Sequence, residues 1–266
     1  MDAVAVVLGS AFGRETVDEL HLVPVEIDTP WGRQTLFRTG REDRPAYVLF
    51  RHGMPHRWLP NQIPYRAQAW ALREAGCGAL LVTSSAGVLD PQIPLNRLLL
   101  VSDLLTLDNR LPDGSACTMF DSPSPEHGHL VLSHGLISAD LSNQLRAIAS
   151  QQGQPIAGEV VFGYSGGPRS KTRAENRMWA RLGAEVNSMT LAPEIVLANE
   201  LEIPTTGLVV GHKYSVPTDD APDRRGVDAS LVDARAAQRD VVLAFLERGE
   251  PVPCRNHLYR YRESIT

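Results

Sequence analysis

Three short segments of the sequence combine side chains that bind anions with glycines that leave backbone N–H groups accessible. They contain, in order, Ser10, Arg51 with His52, and Ser84 with Ser85. A planar guanidinium, hydroxyl groups and free backbone N–H groups together form an anion pocket. Each segment alone is a weak signal. Because each follows a short apolar run, the three together predict one shared pocket for an anion.

A second group of titratable side chains follows the apolar run Thr206–Val210. His212, Lys213 and Tyr214 stand there in succession, where the pattern predicts the end of a buried strand. Such a triplet is either a solvated edge of the sheet or the mouth of an active site. A lysine there donates hydrogen bonds and carries positive charge, but it cannot accept a hydrogen bond.

Continuously apolar segments supply the frame for these side chains, and this pattern is typical of strands covered on both faces. They are Val4–Leu8, Ala46–Phe50, Ala79–Thr83, Leu98–Val101, Glu159–Phe162 and Thr206–Val210. Helical patterns alternate with them, at Tyr65–Ala75, 173–182, 193–201 and about 230–247. The alternation predicts an α/β fold, with a central mixed, largely parallel twisted sheet flanked by helices.

Neither a linker nor an internal repeat divides the chain, so we expect a single domain over residues 1–266. The interval Asp108–His127, rich in Asp, Ser, Pro and Gly, is predicted to be a long loop. The 26 Lys and Arg residues are scattered over a chain of net charge -5, which disfavours a nucleic-acid partner.

The sequence also disfavours a membrane protein and a metal-binding protein. No apolar run reaches the roughly 18 residues that a membrane span needs, and residues 1–8 do not resemble a signal peptide, so we expect a cytoplasmic protein. The three cysteines are widely spaced, which predicts neither a disulfide framework nor a metal site.

Five longer stretches carry a resemblance to a known family. They read TPWG from Thr29, RHGMPHRWLPNQIPYRAQAWAL from Arg51, VTSSAG from Val82, GGPRSKTRAE from Gly166 and GAEVNSMTLAPEIVLANEL from Gly183. In this order they resemble the trimeric purine nucleoside phosphorylase and methylthioadenosine phosphorylase family. The block from Arg51 looks most similar to bacterial methylthioinosine and methylthioadenosine phosphorylases. The resemblance extends from Val4 to about Leu246.

The resemblance implies phosphorolysis, in which phosphate attacks the anomeric carbon while the base leaves an oxocarbenium-like sugar. It also implies a homotrimer, or a hexamer of two trimers, with phosphate as co-substrate and no metal or other cofactor. Met189 would lie beneath the ribose, His56 near the phosphate or sugar, and His129 would reach the 5′ side of a neighbouring subunit's nucleoside. The residues implied for phosphate are Ser10, Arg51, His52, Ser84, Ser85 and Thr190.

The base half of the site departs from the family's pattern. Lys213 stands where the family has an Asn or Asp that recognises the base, and Ser215 replaces a second aspartate beside the matching Tyr214. Ser170 replaces an aromatic ring that stacks on the base, and Lys171 replaces the following Glu or Ser. On the 5′ side, Val227 stands where a histidine is usual, which favours a 5′-deoxy or 5′-thio group over a hydroxyl.

Lys213 therefore decides the functional prediction. If Lys213 is partly buried, desolvation lowers its pKa, and it can protonate or stabilise a departing base. His56 is a second catalytic candidate, and His212 is predicted to lie beside the base. We expect a phosphorylase of purine-type or 5′-modified nucleosides. The alternatives are a phosphorylase of pyrimidine or specialised nucleosides, and a non-catalytic nucleoside- or phosphate-binding relative in which Lys213 turns outward or pairs with Asp219 or Asp220.

Overall fold

The computed structural model describes residues 1–216 and 224–260, without the side chains of residues 14, 17 and 224–229. Its strands are β1 (Ala3–Leu8), β2 (Val23–Ile27), β3 (Gln34–Arg38), β4 (Ala46–Phe50), β5 (Cys77–Val88), β6 (Leu98–Thr106), β7 (His129–Val131), β8 (Gly158–Tyr164), β9 (Val186–Ser188), β10 (Thr205–Tyr214) and β11 (His257–Tyr259). Its helices are α1 (Arg14–Glu19), α2 (Tyr65–Glu74), α3 (Ala139–Gln151), α4 (Arg173–Arg181), α5 (Ala192–Glu200) and α6 (Arg224–Arg248).

Nine of these strands form one mixed sheet, in the order β10-β6-β8-β9-β5-β1-β4-β3-β2. Strand β1 pairs in parallel with both β4 and β5, and β5 pairs in parallel with β10. Because β10 also pairs antiparallel with β6, the five strands β5, β10, β6, β8 and β9 close into a ring. The α/β class with a mixed, helix-flanked sheet is confirmed, and the ring is a feature that the sequence pattern did not predict.

Both faces of the sheet are covered by helices, which explains the continuously apolar strands. On β1, Ala5 and Val7 belong to one core, which helices α2 and α5 complete. The alternate residues Val4 and Val6 belong to a second core, which α3 and α6 complete. The side chains of successive strand residues thus enter opposite cores, as the period of two requires.

Four strands run further than their apolar segments predict: β6 continues to Thr106, β8 spans Gly158–Tyr164, and β5 and β10 extend through polar residues. Strand β5 continues to Val88, and β10 continues to Tyr214, because the two pair with each other along this polar stretch. The prediction that each ends near its last apolar residue is therefore wrong. Ser84, Ser85 and Lys213 lie within strands, where ladder hydrogen bonds hold their backbones.

Other elements carry no apolar run and were not predicted: β2, β3, β7, β9, β11, α1 and α3. The interval predicted as a loop, Asp108–His127, holds only an isolated bridge between Arg110 and Ala116. Within the described part of the chain, no helix has the length and hydrophobicity of a bilayer span.

Candidate active site

A cleft at one edge of the sheet gathers side chains from four segments near strand ends and from Gln238 of α6. We call it the inner cleft; its volume is about 320 Å³. Every residue predicted for the phosphate lines it, together with two predicted neighbours of the sugar. These residues are Ser10, Arg51, His52, His56, Ser84, Ser85, Met189 and Thr190.

Strand register accounts for this convergence. Leu8 of β1 lies opposite Phe50 of β4, so the residues that follow the two strands emerge side by side. Val7 lies opposite Val82 of β5, which brings Ser84 to the same edge. The parallel strands β1, β4 and β5 therefore deliver the three anion-binding segments to one place.

A short network fixes the strand ends relative to one another. The hydroxyl of Thr83 donates to the Val7 carbonyl (3.0 Å) and accepts from the Gly9 N–H (3.3 Å). A side chain at Gly9 would place its Cβ 3.1 Å from Nη1 of Arg51, so a glycine allows the guanidinium to approach this turn closely. The loop that carries Ser10 is thus held against Arg51.

Arg51 is held by a buried ion pair that the sequence analysis did not predict. Its side chain is about 1% exposed and its Nε donates to Oε1 of Glu194, which is itself buried on α5. The amide of Gln68 donates to the Arg51 carbonyl (2.9 Å). Within the described residues, Nη2 of Arg51 has no hydrogen-bond partner. An immobilised guanidinium with a free donor is suited to a phosphate oxygen.

His52 is neutral at physiological pH. Burial, assisted by the charges of Arg51 and His56, lowers its pKa to about 4. Its Nδ1 lies 2.8 Å from the Trp58 carbonyl, which only accepts, so Nδ1 carries the proton and Nε2 is an acceptor. The His56 ring stacks on His52 with centroids 4.5 Å apart, and His56 itself is exposed.

The turn before α5 supplies the fourth wall of the inner cleft. Met189 and Thr190 line it, and the next residue, Leu191, is buried with φ of 79° at the N-cap of α5. A positive φ is unfavourable for a branched residue, so packing imposes this conformation. Gly167 of the neighbouring loop approaches the Met189 sulfur so closely that an added Cβ would lie 2.7 Å from it.

A larger cavity of about 650 Å³, here called the outer cavity, adjoins the inner cleft. The two share Ser10, Ala11, Ser85, Ser188 and Met189 in their walls. The outer cavity brings together the base-site residues predicted from the sequence: Ser170, Lys171, His212, Lys213, Tyr214 and Ser215. Arg173, Asn176, Asn187 and Arg235 also line it and were not predicted.

The triplet His212–Lys213–Tyr214 lies in strand β10 and faces this cavity, so the interpretation as a site mouth agrees with the geometry. Lys213 is exposed, so the condition of partial burial, on which its predicted role toward the departing base depended, is not met. Its backbone lies opposite Gly87 beyond a register shift in β10, and this shift carries the lysine to the cavity rim. His212 is half-buried, and its pKa is lowered, mainly by burial and to a smaller extent by the charge of Lys213.

The half-buried lysine of the cavity is Lys171. Burial, assisted by the charge of the nearby Arg169, lowers its pKa to about 8. Neighbouring Ser170 is exposed, and because it is a serine, it offers no aromatic ring to cover the cavity. Tyr214 turns its hydroxyl away, donating to the Ile93 carbonyl at 3.0 Å.

Ser215 is held by the cavity wall. The amide of Asn176 donates to its carbonyl (2.9 Å), and the Asn187 amide donates to Oδ1 of Asn176 (3.0 Å). Gly87 makes room for it, since a Cβ there would lie 2.2 Å from the Ser215 hydroxyl.

His129 is the predicted site residue that the described part of this chain does not bring to the site by itself. His129 is exposed on β7 and lines neither the inner cleft nor the outer cavity. Val227 lies outside the residues whose side chains the structure describes, as do Asp219 and Asp220. Among the described residues, no group of three His, Cys, Asp or Glu side chains could hold a metal ion.

Comparison with known proteins places the whole architecture in context. Residues 3–247 match a family model described as the phosphorylase superfamily. The probable S-methyl-5′-thioinosine phosphorylase of Methanopyrus kandleri is 32% identical over 201 residues, which cover 75% of each chain. S-methyl-5′-thioadenosine phosphorylase 1 of Puccinia graminis is 29% identical over 72% of this chain, and the match spans only 63% of that relative's length.

The fold comparison gives the same result. The solved structure of methylthioadenosine phosphorylase from Schistosoma mansoni with tubercidin has a TM-score of 0.79 to this chain. The match covers 92% of this chain and 91% of that one, at 21% identity. This shows that the two folds agree over almost their full lengths.

Proposed function

The chain belongs to the phosphorylase superfamily, and from this premise we propose that it cleaves the N-glycosidic bond of a nucleoside with inorganic phosphate. The products are a free base and a sugar 1-phosphate. The relatives named for methylthioinosine and methylthioadenosine favour purine-type or 5′-methylthio nucleosides. The observation that carries the proposal is the convergence of four chain segments on one anion cleft that adjoins a larger cavity.

The inner cleft positions the nucleophile. The free Nη2 of Arg51 and the hydroxyls of Ser10, Ser84 and Thr190 donate to phosphate oxygens. Because His52 is neutral and Nε2 is unprotonated, it accepts a hydrogen bond from the P–O–H group of hydrogen phosphate. Three types of contact thus fix one oxygen toward the sugar, and positioning of this kind contributes much of the rate acceleration.

The sugar lies at the junction of the two spaces, against the Met189 thioether. As the bond to the base lengthens, positive charge grows on the sugar. The bound phosphate dianion lies next to the sugar and stabilises this charge. Negative charge grows on the base at the same time. The outer cavity receives the base, and its cationic side chains stabilise that charge.

We further propose that single-domain chains assemble as a homotrimer or a hexamer. The support is His129, which is exposed on β7 and gains a role in the site only if it reaches a neighbouring chain's pocket. Light scattering tests this directly. A stable monomer near 29.1 kDa would contradict the proposed assembly.

The decisive assay measures free base released from a panel of nucleosides with and without phosphate. Phosphate-dependent release of base together with sugar 1-phosphate is the expected result. A second candidate function is nucleoside binding without turnover, which the exposed Ser170 and Lys213 favour because they replace the family's usual base contacts. Saturable binding without release of base would establish this second function instead.

A further inference from the structure

The cations of the outer cavity have no acidic neighbours among its lining residues. Lys171, Arg173, Lys213 and Arg235 line it, and no Asp or Glu does so within the described chain. None of the four has a carboxylate oxygen within 4.0 Å in the part of the chain that the structure describes. By contrast, Arg169 just outside the cavity forms a two-pronged pair with Glu175 at 2.7 and 2.8 Å.

The choice of lysine at two of these positions is also unusual for this chain. Of its 26 Lys and Arg residues, only Lys171 and Lys213 are lysines, and both line the outer cavity. A lysine carries its charge on a compact ammonium group with three donors, whereas arginine spreads it over a planar fork. The cavity therefore concentrates two point charges as well as two guanidinium groups.

The described lining offers no negatively charged acceptor to balance these donors. The Asn176 and Asn187 side chains are engaged with each other and with the Ser215 carbonyl. Tyr214 directs its hydroxyl at Ile93. The edge of a neutral purine presents donors and acceptors alternately and carries no charge, whereas four cationic donors in one cavity suit an anionic group on the base.

Reaction geometry identifies which part of the substrate meets these charges. The phosphate attacks one face of the anomeric carbon, and the base departs from the opposite face. The inner cleft and the outer cavity share Ser10, Ser85 and Met189, so the reacting carbon lies at that boundary and the base extends into the outer cavity.

Resting on the phosphorolysis proposed above, we propose that the base of the preferred substrate carries an anionic group at neutral pH. This group is either a carboxylate on the ring or an ionised ring nitrogen conjugated to oxo groups. Lys213 and Arg235 contact it from the β10 and α6 side, and Lys171 from the loop before α4. The same charges then stabilise the further negative charge that develops as the base leaves.

The test compares matched nucleosides that differ in the charge of the base. Orotidine is compared with uridine, and xanthosine with inosine, each at fixed phosphate and at pH 8. We expect kcat/KM to be at least about tenfold higher for the anionic member of one pair, which is the effect of one charge-assisted hydrogen bond. Inosine 5′-monophosphate serves as a third arm, with its anion on the sugar side.

Variants locate the effect in the cavity. Lys213→Gln and Arg235→Gln should each reduce the preference for the anionic base about threefold or more, and added salt should reduce it in the wild-type protein. Arg239→Gln is the matched control for Arg235→Gln, since it lies one turn further along α6, pairs with Glu19 and does not line the cavity. It should leave the preference unchanged.

The outcomes separate this inference from the proposed function. If neutral nucleosides are cleaved as well as or better than both anionic partners, the inference is wrong while the phosphorolysis stands. A preference for inosine 5′-monophosphate would also overturn it, because the charge would then be read on the sugar. If no nucleoside is cleaved, calorimetry with free orotate and uracil still decides, and tighter binding of orotate is required.

Discussion

The inner cleft and the outer cavity hold their charged groups in opposite ways. In the inner cleft, Arg51 is buried against Glu194 and its backbone is held by Gln68. In the outer cavity, Lys213 is exposed at the rim of a strand and forms no ion pair within the described residues. The cation of the inner cleft is paired in advance, whereas the outer cavity is open and carries excess positive charge among the residues that the structure describes.

This difference shows where the fold itself specifies the chemistry. A buried ion pair and its hydrogen bonds are coupled to core packing, so changes there cost stability as well as function. An exposed cation makes few contacts with the rest of the protein, so substituting it has a small effect on folding stability. The proposed phosphate half of the site is thus a property of the architecture, whereas the proposed base half is adjustable.

Arg51→Ala should have the largest effect on both stability and activity. It removes the phosphate donor and leaves Glu194 buried without its partner, which costs about 3–5 kcal/mol of stability. Loss of the charge-assisted contact should lower the affinity for phosphate by a further 1.5–3 kcal/mol, approximately. Thermal unfolding and the KM for phosphate measure the two effects.

A double variant separates those effects. Arg51→Met combined with Glu194→Leu should recover most of the stability but none of the phosphate affinity. Arg73→Ala is the control, since Arg73 only stacks on Trp70 of the same helix, outside both spaces. Full phosphate affinity in the double variant would show that Arg51 does not bind phosphate.

Gly87→Ala should have the next largest effect. The added methyl group overlaps the Ser215 hydroxyl at the wall of the outer cavity and forces the end of β10 to move, at a cost of about 1–3 kcal/mol. Nucleoside KM should rise more than phosphate KM. Gly166→Ala is the matched control, because nothing lies within 4 Å of its Cβ position. Equal behaviour of the two variants would contradict the proposed wall.

His52 should make folding stability sensitive to mild acid. Its pKa is about 4 in the folded protein, below the ordinary value of 6.5, so the unfolded chain binds the proton more readily between these values. Stability should therefore fall as the pH drops from about 6.5 to 4, by about 1–2 kcal/mol. Chemical unfolding at several pH values measures this, and His52→Gln should flatten that part of the curve. An unchanged curve in the variant would assign the acid sensitivity to another group.

Lys171 should produce the smallest effect. Its pKa of about 8 lies below the ordinary value of 10.5, so it is charged at pH 7 and largely neutral at pH 9. Orotate binding, measured without phosphate, should therefore weaken about two- to threefold over this range, a change typical of exposed ion pairs. Lys171→Arg keeps its charge at pH 9 and should bind orotate with little pH dependence. The same weakening in this variant would exclude Lys171 as the cause.

The sequence predicted the inner cleft better than the outer cavity, for a physical reason. Continuous apolar runs locate buried strands, and the polar residues that follow parallel strands must meet at one edge. Ser10, Arg51 and Ser84 could be found in this way. Glu194 could not, because a carboxylate next to a proline at the start of a helix looks like an ordinary solvated first-turn residue.

The outer cavity depends on contacts that are distant in sequence. Strands β5 and β10 continue through polar residues because they pair with each other, and no local pattern shows this. Arg235 reaches the cavity from α6, where its spacing is that of any surface arginine. Asn176 and Asn187 form a hydrogen bond between a helix and a strand, and each is an ordinary polar residue by itself.

Because lysine is scarce in this chain, its side-chain amines can be labelled at one known place. The ε-amino groups of the chain are those of Lys171 and Lys213, and both border the outer cavity. The other amine is the α-amino group at Met1. A lysine-directed acylating reagent therefore places a probe beside the outer cavity without any engineered residue. Of the two lysines, Lys171 should react first near pH 8, since about half of its amine is then unprotonated. A fluorophore attached there reports occupancy of the cavity directly, and a bound base shields the amine from labelling.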